Sequence, residues 1–234
     1  QQQQQQQILV SKRYARLQTI SVVDLDEDAK GWLQAIQVAP VEGEAGEVHI
    51  IVNFYGPSGD RMEERLGLLD QLRGLELRGN LFLVGDFNMI DESRDATSPD
   101  ASIILAGAHR ERWNNLLSDM ALQEVRQDTH TYYCINDEDP RSSRIDRIYI
   151  SMSNADRALV TPLAHVEYAG PGPALLARDI AAGKGVSSKL KKLHVSDHVP
   201  VALTFEEGRR YRSAFKAPSW LAQDEELIKE IRDA

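Results

Sequence analysis

The residues Asn80-Leu81-Phe82-Leu83-Val84-Gly85-Asp86-Phe87-Asn88 (NLFLVGDFN) are the reference point for reading the segments on either side. A short continuous apolar run with glycine at its end has the form of a strand buried on both faces, and the polar residues that follow form a turn at its end. Working back toward the N-terminus, Met62, Leu66, Leu69 and Leu72 recur at helical spacing ahead of Arg73-Gly74, which predicts a helix over Asp60 to Leu72. Before it, Thr19 to Val23, Trp32 to Val38 and Glu47 to Tyr55 alternate or carry β-branched residues. The acidic run Asp24 to Asp28 and the turn-rich Pro40 to Gly46 separate them, so the three read as successive antiparallel strands. Toward the C-terminus the pattern predicts a helix over Ser102 to Met120, a strand over Arg144 to Ser151 and a last strand over His198 to Phe205. Between those two strands, Tyr168 to Lys192 is long and rich in Gly and Pro. Insertions of that kind are often functional loops. The mixture predicts an α/β (α+β) fold.

The chain is 234 residues long, which suits one domain. Gln1 to Gln7 form a homopolymer without core-forming side chains, expected to be disordered, and they run directly into Ile8-Leu9-Val10. That junction reads as a domain entered partway through, or else as an ordinary polar leader. Residues 8–207 are expected to form the folded domain, with a boundary near Gly208. Residues 208–234 read as a linker and a short amphipathic helix carrying Leu221, Leu227, Ile228 and Ile231. No apolar run is long enough to span a bilayer and the N-terminus lacks signal-peptide features, so a soluble, intracellular protein without membrane contact is expected. The single cysteine, Cys134, can form no internal disulfide.

Three polar clusters sit at strand ends: Gly85-Asp86-Phe87-Asn88, Asp146 within Ser143-Arg144-Ile145-Asp146-Arg147, and Ser196-Asp197-His198. Each has a structural reading, since turns favour these residue types and Asp146 could simply pair with Arg144 or Arg147. Their combination also has a chemical one. A carboxylate that orients one nitrogen of His198 leaves the other free to take a proton from water, and Asp86 and Asn88 supply an acceptor and an amide donor beside it. This is a hydrolytic set without a nucleophilic serine or cysteine. His194 and His198 are four apart, but the residues between them read as extended chain, which argues against a helical zinc pair.

In order, Asn53-Phe54-Tyr55-Gly56-Pro57, Gly85-Asp86-Phe87-Asn88, Ser143-Arg144-Ile145-Asp146 and Ser196-Asp197-His198 resemble the four motifs of the C-terminal half of the endonuclease/exonuclease/phosphatase superfamily. The resemblance spans roughly residues 8 to 206. It implies a four-layer α/β/β/α sandwich of two mixed β-sheets flanked by helices, here with the first strands missing, and Mg²⁺-dependent cleavage of phosphoesters, with Mn²⁺ as an alternative ion. It further implies that His198 is the general base and Asp146 its orienting partner. Asp86 and Asn88 would position water and phosphate, Tyr55 would hydrogen-bond the phosphate, and Asp197 would be a metal-side carboxylate. Asn53, Ser196, Lys191 and Lys192 are the expected phosphate- and nucleic-acid-binding residues. Family members also carry an Asn and a metal-binding Glu on their first strands, and no equivalent stands within Ile8 to Ala39. Weak or absent activity is therefore expected of this chain.

A net charge of −9 argues against a nucleic-acid partner for the chain as a whole. Locally the sign reverses: Lys184, Lys189, Lys191, Lys192, Arg209, Arg210, Arg212 and Lys216 face only Asp197, Glu206 and Glu207, a net of +5 that brackets the Ser-Asp-His motif. Such a run can be simply a solvated loop and linker, or, at the rim of a cleft, a binding surface for the phosphates of DNA, the partner expected here. The stretch Ser143 to Ser151 (SRIDRIYIS), and a tail similar to the segment joining endonuclease to reverse transcriptase in non-LTR retrotransposon polyproteins, favour a retroelement endonuclease. The expectation is a monomer, fused to a reverse transcriptase in its parent polyprotein and nuclear if so. The alternatives are a phosphatase of a small-molecule or lipid phosphate, and a non-catalytic remnant.

Overall fold

The computed structural model describes residues 8–12, 18–75, 77–97, 101–134, 141–151, 160–166 and 198–207. The polyglutamine tract, the segment from 167 to 197 that includes Lys191, Lys192, Ser196 and Asp197, and the tail from 208 onward lie outside the described residues.

The strands are β1 (Gln18–Val22), β2 (Leu33–Pro40), β3 (His49–Tyr55), β4 (Asn80–Asp86), β5 (Gln123–Glu124), β6 (Tyr132–Cys134), β7 (Arg141–Ser143), β8 (Asp146–Ile150), β9 (Val160–Val166) and β10 (Val201–Glu207). Among the described residues the α-helices are α1 (Met62–Arg73), between β3 and β4, and α2 (Gly107–Asp119), between β4 and β5. Six strands form one mixed sheet in the order β1-β2-β3-β4-β8-β5, and two pairs, β9 with β10 and β6 with β7, form two-stranded sheets. As expected, β1, β2 and β3 are successive antiparallel partners. β4 then joins β3 in parallel, across the α1 crossover. Among the described residues no helix is long and apolar enough to cross a membrane.

Period-two alternation explains the layering. One face of the sheet presents Leu33, Ala35, Ile50, Val52, Phe54, Leu81, Leu83 and Tyr149 to Met62, Leu66, Leu69 and Leu72 of α1 and to Trp113 and Leu116 of α2. The other face carries Phe82, Val84, Ile148 and Ile150, which pack with Val201 and Leu203 of β10 and Ala164 of β9. The central strand β4 therefore has apolar packing on both sides, as its composition foretells.

Several element boundaries differ from the sequence expectation. α2 starts at Gly107, not near Ser102, because Ala101–Ile103 form a separate 3₁₀ turn and Gly107 has a positive φ of 50°. His198 precedes β10 and instead forms an isolated bridge with Tyr132. Pro162 hides β9 from pattern reading, since proline lacks an amide donor and argues against a strand except at a sheet edge. The very short strands β5, β6 and β7 are too brief for any period to register.

Candidate active site

The alternation that packs the core also places the polar clusters. Phe82, Val84 and Asp86 share one face of β4, and Asp146, Ile148 and Ile150 share the same face of β8. Asp86 and Asp146 are direct register partners across the antiparallel pair, and Tyr55 is the partner of Asp86 on the parallel side. Tyr55, Asp86 and Asp146 thus form a row across the end of three adjacent strands. Asn53 sits two residues back on β3, level with Val84.

Phe87 explains the spacing of the Asp-x-Asn turn. Its ring is fully buried on the helix side, edge-on to Phe54 (5.2 Å), Tyr149 (5.2 Å) and Trp113 (6.0 Å), and so anchors the turn from beneath. Asn88 takes a left-handed φ of 47°, which asparagine tolerates better than most residues. Its backbone N–H donates to Asp86 Oδ1 at 2.9 Å, while its side-chain amide donates to Gly56 O at 2.7 Å and Asp86 Oδ2 at 3.1 Å. The amide of Asn88 therefore ties the Gly-Asp turn to the loop after β3, and Gly56 N–H donates back to Asp86 O at 2.7 Å. Gly85 is required here. At φ 135°, a Cβ on it would lie 2.0 Å from Phe54 O and 3.0 Å from Asn53 Oδ1.

His198 comes from far along the chain and docks through residues that carried no motif in the sequence. Val199 N–H donates to Thr131 O at 2.7 Å, the ring of Tyr132 lies 5.1 Å from the His198 ring, and Asp146 N–H donates to Thr131 Oγ1 at 3.1 Å. Gln127 Nε2 donates to Asp146 O at 2.6 Å. Gln127, Thr131 and Tyr132 are thus supports of the site that sequence reasoning missed. Their one available signal is the β-branched and aromatic run just before Cys134.

The result is a compact group. His198 Nδ1 lies 3.0 Å and 3.2 Å from the two carboxylate oxygens of Asp146. An ionised carboxylate only accepts, so Nδ1 carries the proton and Nε2 presents its lone pair. Nε2 is 4.0 Å from Asp86 Oδ2. His198 is one-third exposed, Asp146 one-fifth and Asp86 about one-tenth. Burial, and then the neighbouring charge of Asp146, push the Asp86 carboxyl up to about 7, against the opposing pull of the Asn88 N–H, His198 and Arg65.

Asp146 is free for this contact because the arginines on either side of it turn elsewhere. Arg144 and Arg147 pair with Asp95 at 3.0 and 3.1 Å, and Arg144 also donates to Glu124. The structural reading of Asp146 as a partner of either arginine is thereby replaced. Burial works to raise the Asp95 carboxyl, but the Arg144 hydrogen bond, the Glu92 N–H and both arginine charges hold it down at about 2.

Among the described residues, Asp86, Asp146 and His198 also form a group whose ligand atoms lie within 4.8 Å of one another and could hold a metal ion. The donor set is lean for a hard cation: Asp146 is engaged by His198, which leaves Asp86 as the available carboxylate. A buried carboxylate in repulsive contact with another is nonetheless a place that favours a cation, and in this sense the residues fit one.

No family model matches the chain, and no curated protein does. Solved structures do. An AP endonuclease from Archaeoglobus fulgidus superposes with a TM-score of 0.52 at 18% identity, over 80% of this chain and 70% of that one. The 3′ phosphatase NExo from Neisseria, bound to product DNA hairpin, gives 0.50 at 18% identity over the same shares. The endonuclease domain of TRAS1, a telomere-specific non-LTR retrotransposon, gives 0.48 at 15% identity, over 80% and 68%. The first two superpositions show a shared fold: the chain has the mixed α/β fold seen in that AP endonuclease and in NExo, in line with what the sequence resemblance implies.

Proposed function

We propose that this chain is a hydrolase of phosphoester bonds with DNA as its substrate, and that it is a weak one. The observation that carries the reading is the Asp146–His198 pair, held at 3.0 Å with Nε2 directed toward Asp86. A water molecule in hydrogen-bond reach of both Nε2 and Asp86 Oδ2 fits a gap of 4.0 Å. His198 takes the proton of that water at Nε2, the water oxygen attacks phosphorus, and the ester bond to the leaving oxygen breaks. Asp146 stabilises the imidazolium formed, and Asp86 orients the water through its second hydrogen. Tyr55 borders the phosphate position in the same row of strand ends. Asn88 acts chiefly by fixing Asp86, because its amide hydrogens are already committed.

Asp86 is the residue that would hold Mg²⁺ or Mn²⁺, with Asp197 as a second carboxylate. A divalent ion there would offset negative charge on the phosphate. With so few protein oxygens in the described group, an ion would be held weakly, which is why the activity is expected to be low. Binding of DNA phosphates is assigned to Lys191, Lys192, Ser196 and Asn53. The SRIDRIYIS stretch and the tail support assignment to the retroelement endonucleases over the stand-alone phosphatases, and a nuclear setting and a reverse-transcriptase fusion would follow from it.

The test is nicking of supercoiled plasmid against phosphate release from a small monoester, each over a Mg²⁺ and Mn²⁺ titration. Nicking that requires high metal and disappears in His198→Ala is the expected result. Phosphate release without nicking overturns the DNA assignment. Neither activity under any metal condition overturns the hydrolase.

A further inference from the structure

We infer that Asp95 is a positioning residue for the site: it holds the segment that carries Asp146, and through Asp146 it sets the ring of His198. This rests on the reading of His198 as the base.

Asp95 ends a 3₁₀ turn (Ser93–Asp95) that no motif marks, and its side chain is buried. Its Oδ1 accepts from Arg144 Nε at 3.0 Å and Arg126 Nη2 at 2.9 Å, and its Oδ2 accepts from Arg147 Nη2 and from Glu92 N–H, each at 3.1 Å. The grip continues along the backbone. Arg144 N–H donates to Asp95 O at 2.7 Å, Ala96 bridges Ser143, and Thr97 N–H donates to Ser142 O at 2.9 Å. One acidic residue thus joins the two arginines that bracket Asp146 in sequence, from about fifty positions away. Arg147 follows Asp146 directly and points to the opposite face of β8, so its anchoring fixes the start of the strand without touching the carboxylate that meets His198.

Charge makes the anchor stiff. Arg144 and Arg147 are almost fully buried, and two buried guanidinium groups stay in place only while acids compensate them. Glu124, partly exposed, shares the compensation, accepting from Arg144 and lying 4.0 Å from Arg147 Nε, while Asp95 reaches both arginines at 3.0 and 3.1 Å. Without it the arginines must move toward water or another acceptor, and the Arg144-Ile145-Asp146 segment moves with them. Displacement of Asp146 by about 1 Å takes a 3.0 Å contact beyond hydrogen-bond length.

The test reads the His198 ring directly, independent of turnover. In a ¹⁵N-labelled protein without metal, the ring nitrogens of His198, assigned with His198→Ala, are expected to show protonated Nδ1. Asp95→Asn is expected to shift the ring toward the Nε2-protonated tautomer that free histidine favours, with a fall in kcat at least tenfold and little change in KM. Asp95→Asn that keeps the fold and the wild-type ring spectrum overturns the inference. If Asp95→Asn does not fold, Arg126→Gln at the rim of the cluster decides instead: a smaller shift in the same direction supports it, and an unchanged ring refutes it. A ring shift in a protein that cleaves no phosphoester leaves the positioning role standing and removes only the hydrolase reading.

Discussion

The raised carboxyl of Asp86 makes stability depend on pH in a direction opposite to most carboxylates. Its folded pKa of about 7 stands above the ordinary value of 3.8. Below about pH 4 the group is protonated in both folded and unfolded chains and contributes nothing. Between about pH 4 and 7 the folded chain holds a proton that the unfolded chain has released, so stability falls as pH rises, by up to ~1.4 kcal/mol per unit. Above pH 7 the loss is complete, at most about 4 kcal/mol. Asp86→Asn removes this penalty but replaces one acceptor oxygen of the Asn88 contacts with a donor, at a cost of about 1 kcal/mol. The net expectation is a gain of about 3 kcal/mol at pH 8, or on the order of 6–10 °C in Tm for a chain of this size, and no gain at pH 4. The assay is thermal melting by circular dichroism from pH 4 to 9 in chelator, read as the difference between variant and wild type so that other titrations cancel. Adding Mg²⁺ at pH 8 should then raise the wild-type Tm and leave Asp86→Asn nearly unmoved. Parallel Tm curves for the two proteins across pH 4–8 would refute the argument that Asp86 is a strained buried charge.

Two further outcomes follow from the packing. Phe87→Ala empties the centre of the Phe54–Trp113–Tyr149 cluster and should cost about 3–5 kcal/mol in chemical denaturation. A loss under 1 kcal/mol would mean that the turn is not anchored from the helix side. Gly85→Ala puts a methyl 2.0 Å from Phe54 O and should part β3 from β4, seen as loss of amide-exchange protection along both strands. Retained protection there would show that the close approach is not needed.

The central architecture was legible because it is local. β4 announces itself through uninterrupted apolar residues, and β1, β2 and β3 through alternation and turn residues, since each pattern needs only neighbours a few positions away. Asp86, Asp146 and His198 were nameable for a similar reason, being polar residues next to strand ends in a recognisable order. Gln127, Thr131 and Tyr132 were not, because a threonine that accepts a backbone N–H has no signature of its own until its partner is known. β9 was hidden by a proline that a sheet edge accommodates.

Residue order alone marked β1 to β4, β8 and β10, the apolar positions along them, and two carboxylates and an imidazole near strand ends. Only the folded chain could settle their pairing. Register across β4 and β8 sets Asp86 opposite Asp146, and burial together with that proximity lifts one carboxyl to about 7. The choice between Asp146 serving its neighbouring arginines and serving His198 was likewise tertiary. Asp95, distant in sequence, and Glu124 together supply counter-charge to Arg144 and Arg147, and Asp146 is left to the histidine. Ion pairing of this kind depends on distance through space, and sequence separation carries no record of it.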